Sequence, residues 1–189
     1  MAEAGAVHIR VAADADLPAI AGIYGHHVLH GLASFELEVP SVDEMRERHR
    51  NIVSQGFPYV VAERDGRVAG YAYASWYRTR PAYRFTVENS VYIDATLRRS
   101  GVGRALLEAV IAECERLGFR QMVAVIGDSA NEASIGLHAA CGFERVALLP
   151  AVGWKFDRWV DSVFMQRALG GGDRTPPSGS DSEGGSFGV

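Results

Sequence analysis

The densest chemistry in the sequence lies in Arg98-Arg99-Ser100-Gly101-Val102-Gly103-Arg104. Before it stands Ser90-Val91-Tyr92-Ile93, β-branched and aromatic, ending at Asp94. After it Val102, Leu106, Ala109, Val110 and Leu117 recur at helical spacing until Gly118 closes the helix. The order is strand, glycine turn, helix. Glycines at a helix start let backbone N–H groups converge, and the helix dipole adds positive potential there. With arginines on both sides, the turn suits a polyanion, most simply a pyrophosphate. A dinucleotide-binding fingerprint wants a third glycine where Leu106 stands, and an acidic residue ending a second strand, which is missing. The Gly-Lys-Ser/Thr of a nucleotide-hydrolysing phosphate loop is missing too. The plainer alternative is a helix start whose glycines serve close packing alone.

Elements of the right kind surround this unit. Val7–Val11 alternates as a first strand. Asp14 or Asp16 can cap a helix with Pro18 in its first turn and Leu17, Ile20, Ile23, Tyr24 and Val28 as its apolar stripe. Ser41-x-x-Glu44 is a capping box opening a second helix. Asp65-Gly66 between two apolar runs signals a hairpin. Gln121–Ile126 reads as a strand covered on both faces, Ser134–Ala140 as a short helix closed by Gly142, and Phe143–Leu149 and Trp159–Met165 as the last strands. The order β, α, α, hairpin, β, α, β, α, β, β predicts a mixed sheet covered by helices, an α/β architecture in one domain. From Gly170 the composition falls to Gly, Ser, Pro and Asp, so 1–169 should carry the fold and 170–189 should be a disordered tail.

The chain has 189 residues, is 48% hydrophobic and 22% charged, and carries a net charge of −4, which fits one soluble domain with a full core. Nothing in that balance suggests a nucleic-acid surface. No apolar run reaches membrane-spanning length, and Met1–His8 lacks the features of a signal peptide. Cys114 and Cys141 form neither a disulfide framework nor a metal spacing, so a cytoplasmic protein with reduced thiols is expected. His26 and His30 have i,i+4 spacing, but no acidic residue completes a zincin pattern and no metal is expected.

Arg98-x-x-Gly101-x-Gly103 after a strand resembles the pantetheine-pyrophosphate loop of the GNAT acetyltransferases. Further segments, in order, resemble the phosphinothricin N-acetyltransferase family within that superfamily: Ser34-Phe35-Glu36, Arg80-x-x-Tyr83, Thr86–Tyr92, Val123–Gly127, Leu137-His138, Gly142-Phe143, and Gly153-x-Lys155-Phe156 followed by Trp159-x-Asp161. The resemblance covers about Val7 to Leu169. It implies a mostly antiparallel sheet with a splayed central strand pair, acetyl-coenzyme A as cosubstrate, and direct acetyl transfer to the α-amine of phosphinothricin or of methionine sulfoximine or sulfone. It also implies a homodimer, for which Ala147–Phe156 or Phe35–Val39 could supply an interface.

An amine attacks a thioester only when neutral, and an α-amino group is largely protonated at neutral pH, so the reaction needs a base. The resemblance gives that role to Glu88, just before the loop; a glutamate in a surface ion pair is the alternative. His138 stands where relatives place a donor for the leaving thiolate, although it could equally hydrogen-bond the pantetheine or pack. Val91, Tyr92 and Ile93 would meet the thioester and pantetheine along the splayed strand. Ser100, Val102 and Arg104 would join Arg98, Arg99, Gly101 and Gly103 around the pyrophosphate. Asn131 and Ser134 would bind the pantetheine arm or cap the short helix. For an anionic acceptor, Arg80 leads, with Arg78, Tyr83 and Lys155 behind it and Phe35 as a pocket wall, whereas Arg84 reads as surface. Transfer to a polyamine, an aminoglycoside or a protein lysine is the runner-up, and a non-catalytic acetyl-coenzyme A sensor should lack Glu88. The pattern departs from many relatives at Gly25, which suggests a bend in the first helix, at the longer turn before Asn131, and at Trp76-Tyr77.

Overall fold

The computed structural model describes residues 6–97 and 100–177; Arg98 and Arg99, both expected at the pyrophosphate, lie outside them. Seven strands are described: β1 (His8–Val11), β2 (Tyr59–Arg64), β3 (Arg67–Trp76), β4 (Thr86–Ile93), β5 (Gln121–Gly127), β6 (Glu144–Lys155) and β7 (Arg158–Ala168). Four helices accompany them: α1 (Leu17–His30), α2 (Val42–Ser54), α3 (Val102–Arg116) and α4 (Glu132–Ala140). The sheet order is β1-β2-β3-β4-β5-β7-β6. Neighbouring strands are antiparallel except β4 and β5, which run parallel and are joined by a crossover through α3.

Period-two alternation sorts each strand between two faces. Tyr59, Val61 and Tyr71 are buried on the face covered by α1 and α2, where they meet Leu17, Ile20, Tyr24 and Val28. Ala62, Ala72, Ala74 and Val87 point the other way, onto Leu106, Leu107 and Val110 of α3. Small residues on the sheet let α3 lie close: a Cβ on Gly70 would sit 3.1 Å from Leu106 Cδ1 and 2.8 Å from the Tyr92 carbonyl.

The expected turns form. Asp65 and Gly66 have φ of 50° and 70°, the two left-handed positions of a tight hairpin turn between β2 and β3. Ser41 Oγ accepts from Glu44 N–H at 3.2 Å and opens α2. Two expectations change. The strand read over Phe143–Leu149 is longer, because β6 continues through Pro150 to Lys155. Proline is tolerated there because β6 is the sheet edge and the ladder slips between Leu149 and Gly153. The glycine inside α1 does not interrupt it. A Cβ on Gly25 would come 2.9 Å from Val39 Cγ1, so this residue makes room for the returning loop.

The segment read as a disordered tail begins as turns. Gly170–Pro177 lies among the described residues, and Arg120, at the start of β5, donates to the carbonyls of Gly172 (2.8 Å) and Thr175 (2.7 Å). Backbone acceptors matched to one guanidinium are a feature that composition alone does not carry.

Candidate active site

The site begins where β4 and β5 part. Their parallel register runs Thr86↔Gln121, Val87↔Met122, Glu88↔Val123 and Asn89↔Ala124, and then stops. β4 continues to Ile93 and β5 to Gly127, so the two strands diverge and leave a wedge. Ser90, Tyr92, Val125, Ile126, Ser134 and His138 line it. β4 keeps its antiparallel partner β3 throughout, so only its β5-facing edge is released beyond Asn89. Backbone groups on a released edge can pair with an extended ligand carrying amides.

α3 starts at the open end of this wedge. Gly101 is its N-cap in the left-handed conformation, with φ of 84°, a position that costs an L side chain strain. The helical ladder opens with Ala105 N–H donating to Gly101 O at 3.1 Å, so the amides of Val102, Gly103 and Arg104 precede it. Gly103 is buried between Ile93 and Leu137, where a side chain would collide with both. The glycine pair therefore serves close packing and leaves a cradle of amides as well. Ser100 Oγ donates to Leu97 O at 2.5 Å, and exposed Arg104 pairs with Glu108 one turn on at 2.7 Å.

Glu88 and His138 approach the splay from opposite faces. Glu88 pairs in register with Ser75, two residues from Tyr73, and so belongs to the α1/α2 face together with Ser90 and Tyr92. It is half-buried, and burial raises its carboxyl above the ordinary value while Arg78 pulls the other way. Among the described residues its carboxyl makes no hydrogen bond. A carboxylate in that state can take a proton nearer neutrality than a solvated one.

Asn89, the next residue, faces α4. His138 is buried at 4% exposure, with Nε2 3.0 Å from Asn89 Oδ1 and Nδ1 2.8 Å from the Ser134 carbonyl. Burial lowers its proton affinity and the Ser134 carbonyl offsets part of that. Phe143 meets the ring edge-on at 5.1 Å. Asn131 caps α4, its Oδ1 accepting from Ser134 N–H at 3.2 Å.

The loop between α1 and α2 closes the site on the Glu88 side. Ser34 is buried: its Oγ lies 3.0 Å from Tyr24 Oη and accepts from Glu36 N–H at 3.2 Å. Lys155, 3% exposed, donates from Nζ to the Ser34 carbonyl at 2.7 Å. That gives Lys155 the task of bracing the loop from beneath, and burial lowers its proton affinity, with Glu36 opposing. Phe35 rests on two glycines: a Cβ on Gly153 would be 2.6 Å from its ring and one on Gly127 3.0 Å from it. Glu36 is held by Arg48 at 2.7 Å.

The basic segment after β3 lies outside the core. Arg80, Tyr83 and Arg84 are exposed, with Tyr83 edge-on to Tyr77 at 5.7 Å and the Arg78 guanidinium 4.6 Å over the Tyr77 ring. Of these cations Arg78, rather than the first-choice Arg80, acts on Glu88. On α1, His27 Nε2 lies 2.8 Å from Ile93 O and ties the end of β4 to the helix, while the rings of His26 and His30 are 4.8 Å apart. Among the described residues no group of three or more His, Cys, Asp or Glu side chains is arranged to hold a metal, and no helix is long and apolar enough to cross a membrane.

The sequence reading gave no task to Asn89, or to Tyr24, Ser34 and Gly127 around the braced loop. One signal was available: Glu88, Ser90 and Tyr92 share one face of an alternating strand, which leaves Asn89 aimed at the helix that carries His138.

Comparison with known proteins agrees with this geometry. The acetyltransferase (GNAT) family model matches residues 27–143. The chain is 56% identical to phosphinothricin N-acetyltransferase of Alcaligenes faecalis over 89% of its length and 86% of the relative's. It is 42% identical to the L-methionine sulfoximine/L-methionine sulfone acetyltransferase of Salmonella typhimurium, over 85% of this chain and 94% of that one. Among solved structures, a GNAT superfamily phosphinothricin acetyltransferase from Sinorhizobium meliloti in complex with acetyl-coenzyme A superposes with a TM-score of 0.89 at 48% identity, covering 92% of this chain and 94% of that one. A seven-stranded sheet splayed after Asn89, a glycine-capped α3 and these matches converge: the chain belongs to the GNAT acetyltransferase family.

Proposed function

We propose that this enzyme moves an acetyl group from acetyl-coenzyme A directly onto the α-amine of a small amino-acid analogue, with phosphinothricin and methionine sulfoximine or sulfone as its substrate class. The observation that carries the reading is the placement of Glu88 and His138 on opposite sides of the β4–β5 splay. The relatives' names supply the acceptor class.

The cosubstrate fits this chain's own features. The amides at the start of α3, with Arg98 and Arg99, would hold the pyrophosphate. The released edge of β4 at Val91, Tyr92 and Ile93 would pair with the pantetheine amides, near Asn131 and Ser134 on α4. A backbone N–H on that edge would donate to the thioester oxygen as charge develops. Glu88 takes the proton of the ammonium, directly or through water, so that the nitrogen lone pair is free to attack. His138 returns a proton to the leaving sulfur. Arg78 and Arg80 supply positive charge on the acceptor side and favour an acidic substrate. Phe35, Tyr83 and the braced loop enclose it.

In this reading the enzyme is cytoplasmic, works without metal, nucleic acid or membrane, and carries its activity on 1–169. It is also a homodimer. Val146, Leu148, Val152, Trp154, Phe156 and Trp159 are all exposed on the β6–β7 edge hairpin, and a second copy would cover them. Sedimentation of wild type and Trp154→Glu tests this: a wild-type monomer contradicts it.

The function is tested by thiol release from acetyl-coenzyme A with phosphinothricin, methionine sulfone, methionine sulfoximine, spermidine and an aminoglycoside. Fast turnover of the tetrahedral amino acids alone is expected. Tight acetyl-coenzyme A binding with turnover of none of them overturns the substrate class.

A further inference from the structure

The hydrogen-bond chain through His138 ends on a backbone carbonyl at each side. Asn89 Nδ2 donates to Val123 O at 3.2 Å, which turns Asn89 Oδ1 toward His138 Nε2. On the other side Nδ1 faces the Ser134 carbonyl at 2.8 Å, with Ser134 Oγ farther off at 3.5 Å. A carbonyl oxygen only accepts, so each ring nitrogen faces an acceptor, and both are satisfied only when both carry protons. Rotating the Asn89 amide does not relieve this, because its oxygen would then face the Val123 carbonyl. Asn89 and His138 are 5% and 4% exposed, so bulk water competes poorly with these fixed acceptors.

We propose that Asn89 is a positioning residue for acetyl transfer, which fixes the His138 imidazole beside the splay and holds a proton on its Nε2. This rests on the reading of His138 as the donor to the leaving sulfur. The strand register places the device at the apex: Asn89 is the last residue of β4 paired with β5, so the same side chain that closes the ladder sets the ring.

The groups facing the ring are few. β4 presents the Asn89 amide, β5 the Val123 carbonyl that holds it, α4 its own Ser134, and the segment after α4 the edge of Phe143. None is charged. Cys141, one turn along, has its thiol pushed up by burial and is neutral. Burial lowers the proton affinity of His138 and is the larger influence, the Ser134 carbonyl opposes it, and Asn89 Oδ1 adds a second fixed acceptor 3.0 Å from Nε2. In the transfer Glu88 has already taken the ammonium proton when the amine nitrogen bonds to the thioester carbon. The carbon–sulfur electron pair leaves on sulfur, and sulfur takes the Nε2 proton. The nitrogen releases its second proton to solvent, from which the ring is recharged. The neutral ring keeps its Nδ1 proton on Ser134 O and turns a bare lone pair to Asn89 Oδ1. That repulsion favours reprotonation before the next turnover.

The test is a histidine 15N NMR titration of wild type, Asn89→Asp and Asn89→Leu, paired with the pH profile of kcat/KM. A carboxylate facing Nε2 should move the His138 titration to higher pH, and leucine should move it lower. Opposite shifts from one position cannot come from unfolding. The alkaline limb of the rate should follow each shift, with about a tenfold loss for leucine on the alkaline side and little change in KM for acetyl-coenzyme A. Identical His138 titrations in the three proteins overturn the inference, as does a rate loss equal at every pH. Opposite NMR shifts with an unmoved alkaline limb overturn instead the assignment of His138 as the donor.

Discussion

The two faces of β4 are built from different materials. On the α3/α4 side the strand presents Val87, Asn89, Val91 and Ile93 to an aliphatic layer of Val102, Leu106, Leu107 and Val110, with one polar pair, Asn89–His138, set into it. On the α1/α2 side it presents Glu88, Ser90 and Tyr92 to an array of stacked rings. Tyr59, Tyr71, Tyr73 and Tyr92 stand 5.0 to 6.3 Å apart, and Tyr24 meets Tyr92 edge-on. The aliphatic face is close-packed and can hold only what fits between glycines. The tyrosine face has hydroxyls, and burial pushes the Tyr24 hydroxyl up to about 12, so these groups stay protonated donors near a carboxylate. In the proposed function a single strand thus separates an apolar side, that of His138, from a polar side, that of Glu88. Its two-residue period does the dividing.

The largest expected effect breaks the amine side alone. Glu88→Gln should lower kcat about 10²- to 10⁴-fold while calorimetric acetyl-coenzyme A affinity is kept; a matching loss of affinity would mean that the faces are not independent. Next, Leu106→Ala should cost about 2–5 kcal/mol of stability, since the residue is fully buried under the aliphatic face, as read by denaturant unfolding. Gly127→Ala probes the seam between the faces. Its methyl would fall on the Leu32 carbonyl and against Phe35, so about 1–3 kcal/mol is expected, with Tm falling by about 2–4 °C for each kcal/mol and KM for the amine rising. The smallest effect is in pH dependence. As the proposed base Glu88 must be ionised, so the rate is expected to fall as pH drops through its raised pKa. Arg78 stabilises the charged form, so Arg78→Ala should move that acid limb to higher pH in kcat/KM profiles.

Much of this was legible because β4, the turn and α3 are local. Residue type, a glycine at the αL cap and a change of period lie within one stretch of chain, and Gly101, Gly103 and Glu88 take up the expected positions on it. What escaped is long-range. Nothing near Lys155 says that its ammonium will reach Ser34, 121 residues away, or that Arg48 will hold Glu36 instead of an anion. The β4–β5 splay was expected through the family resemblance and not through residue pattern, since both strands remain apolar past the point where they part. For Ala147–Phe156 the sequence left interface and pocket undivided, because apolar residues look the same whether a core or a partner covers them.

The Arg120 clamp on the tail has a practical consequence. Arg120 precedes β5, whereas the wedge opens at the far end of that strand, seven residues on and about 23 Å away at 3.3 Å per residue. Pro176, whose carbonyl Arg120 also reaches at 3.4 Å, therefore sits at the end of β5 away from the wedge. A tether attached at Thr175 should leave the wedge open to solution, with Arg120 taking up the mechanical load before it reaches the sheet.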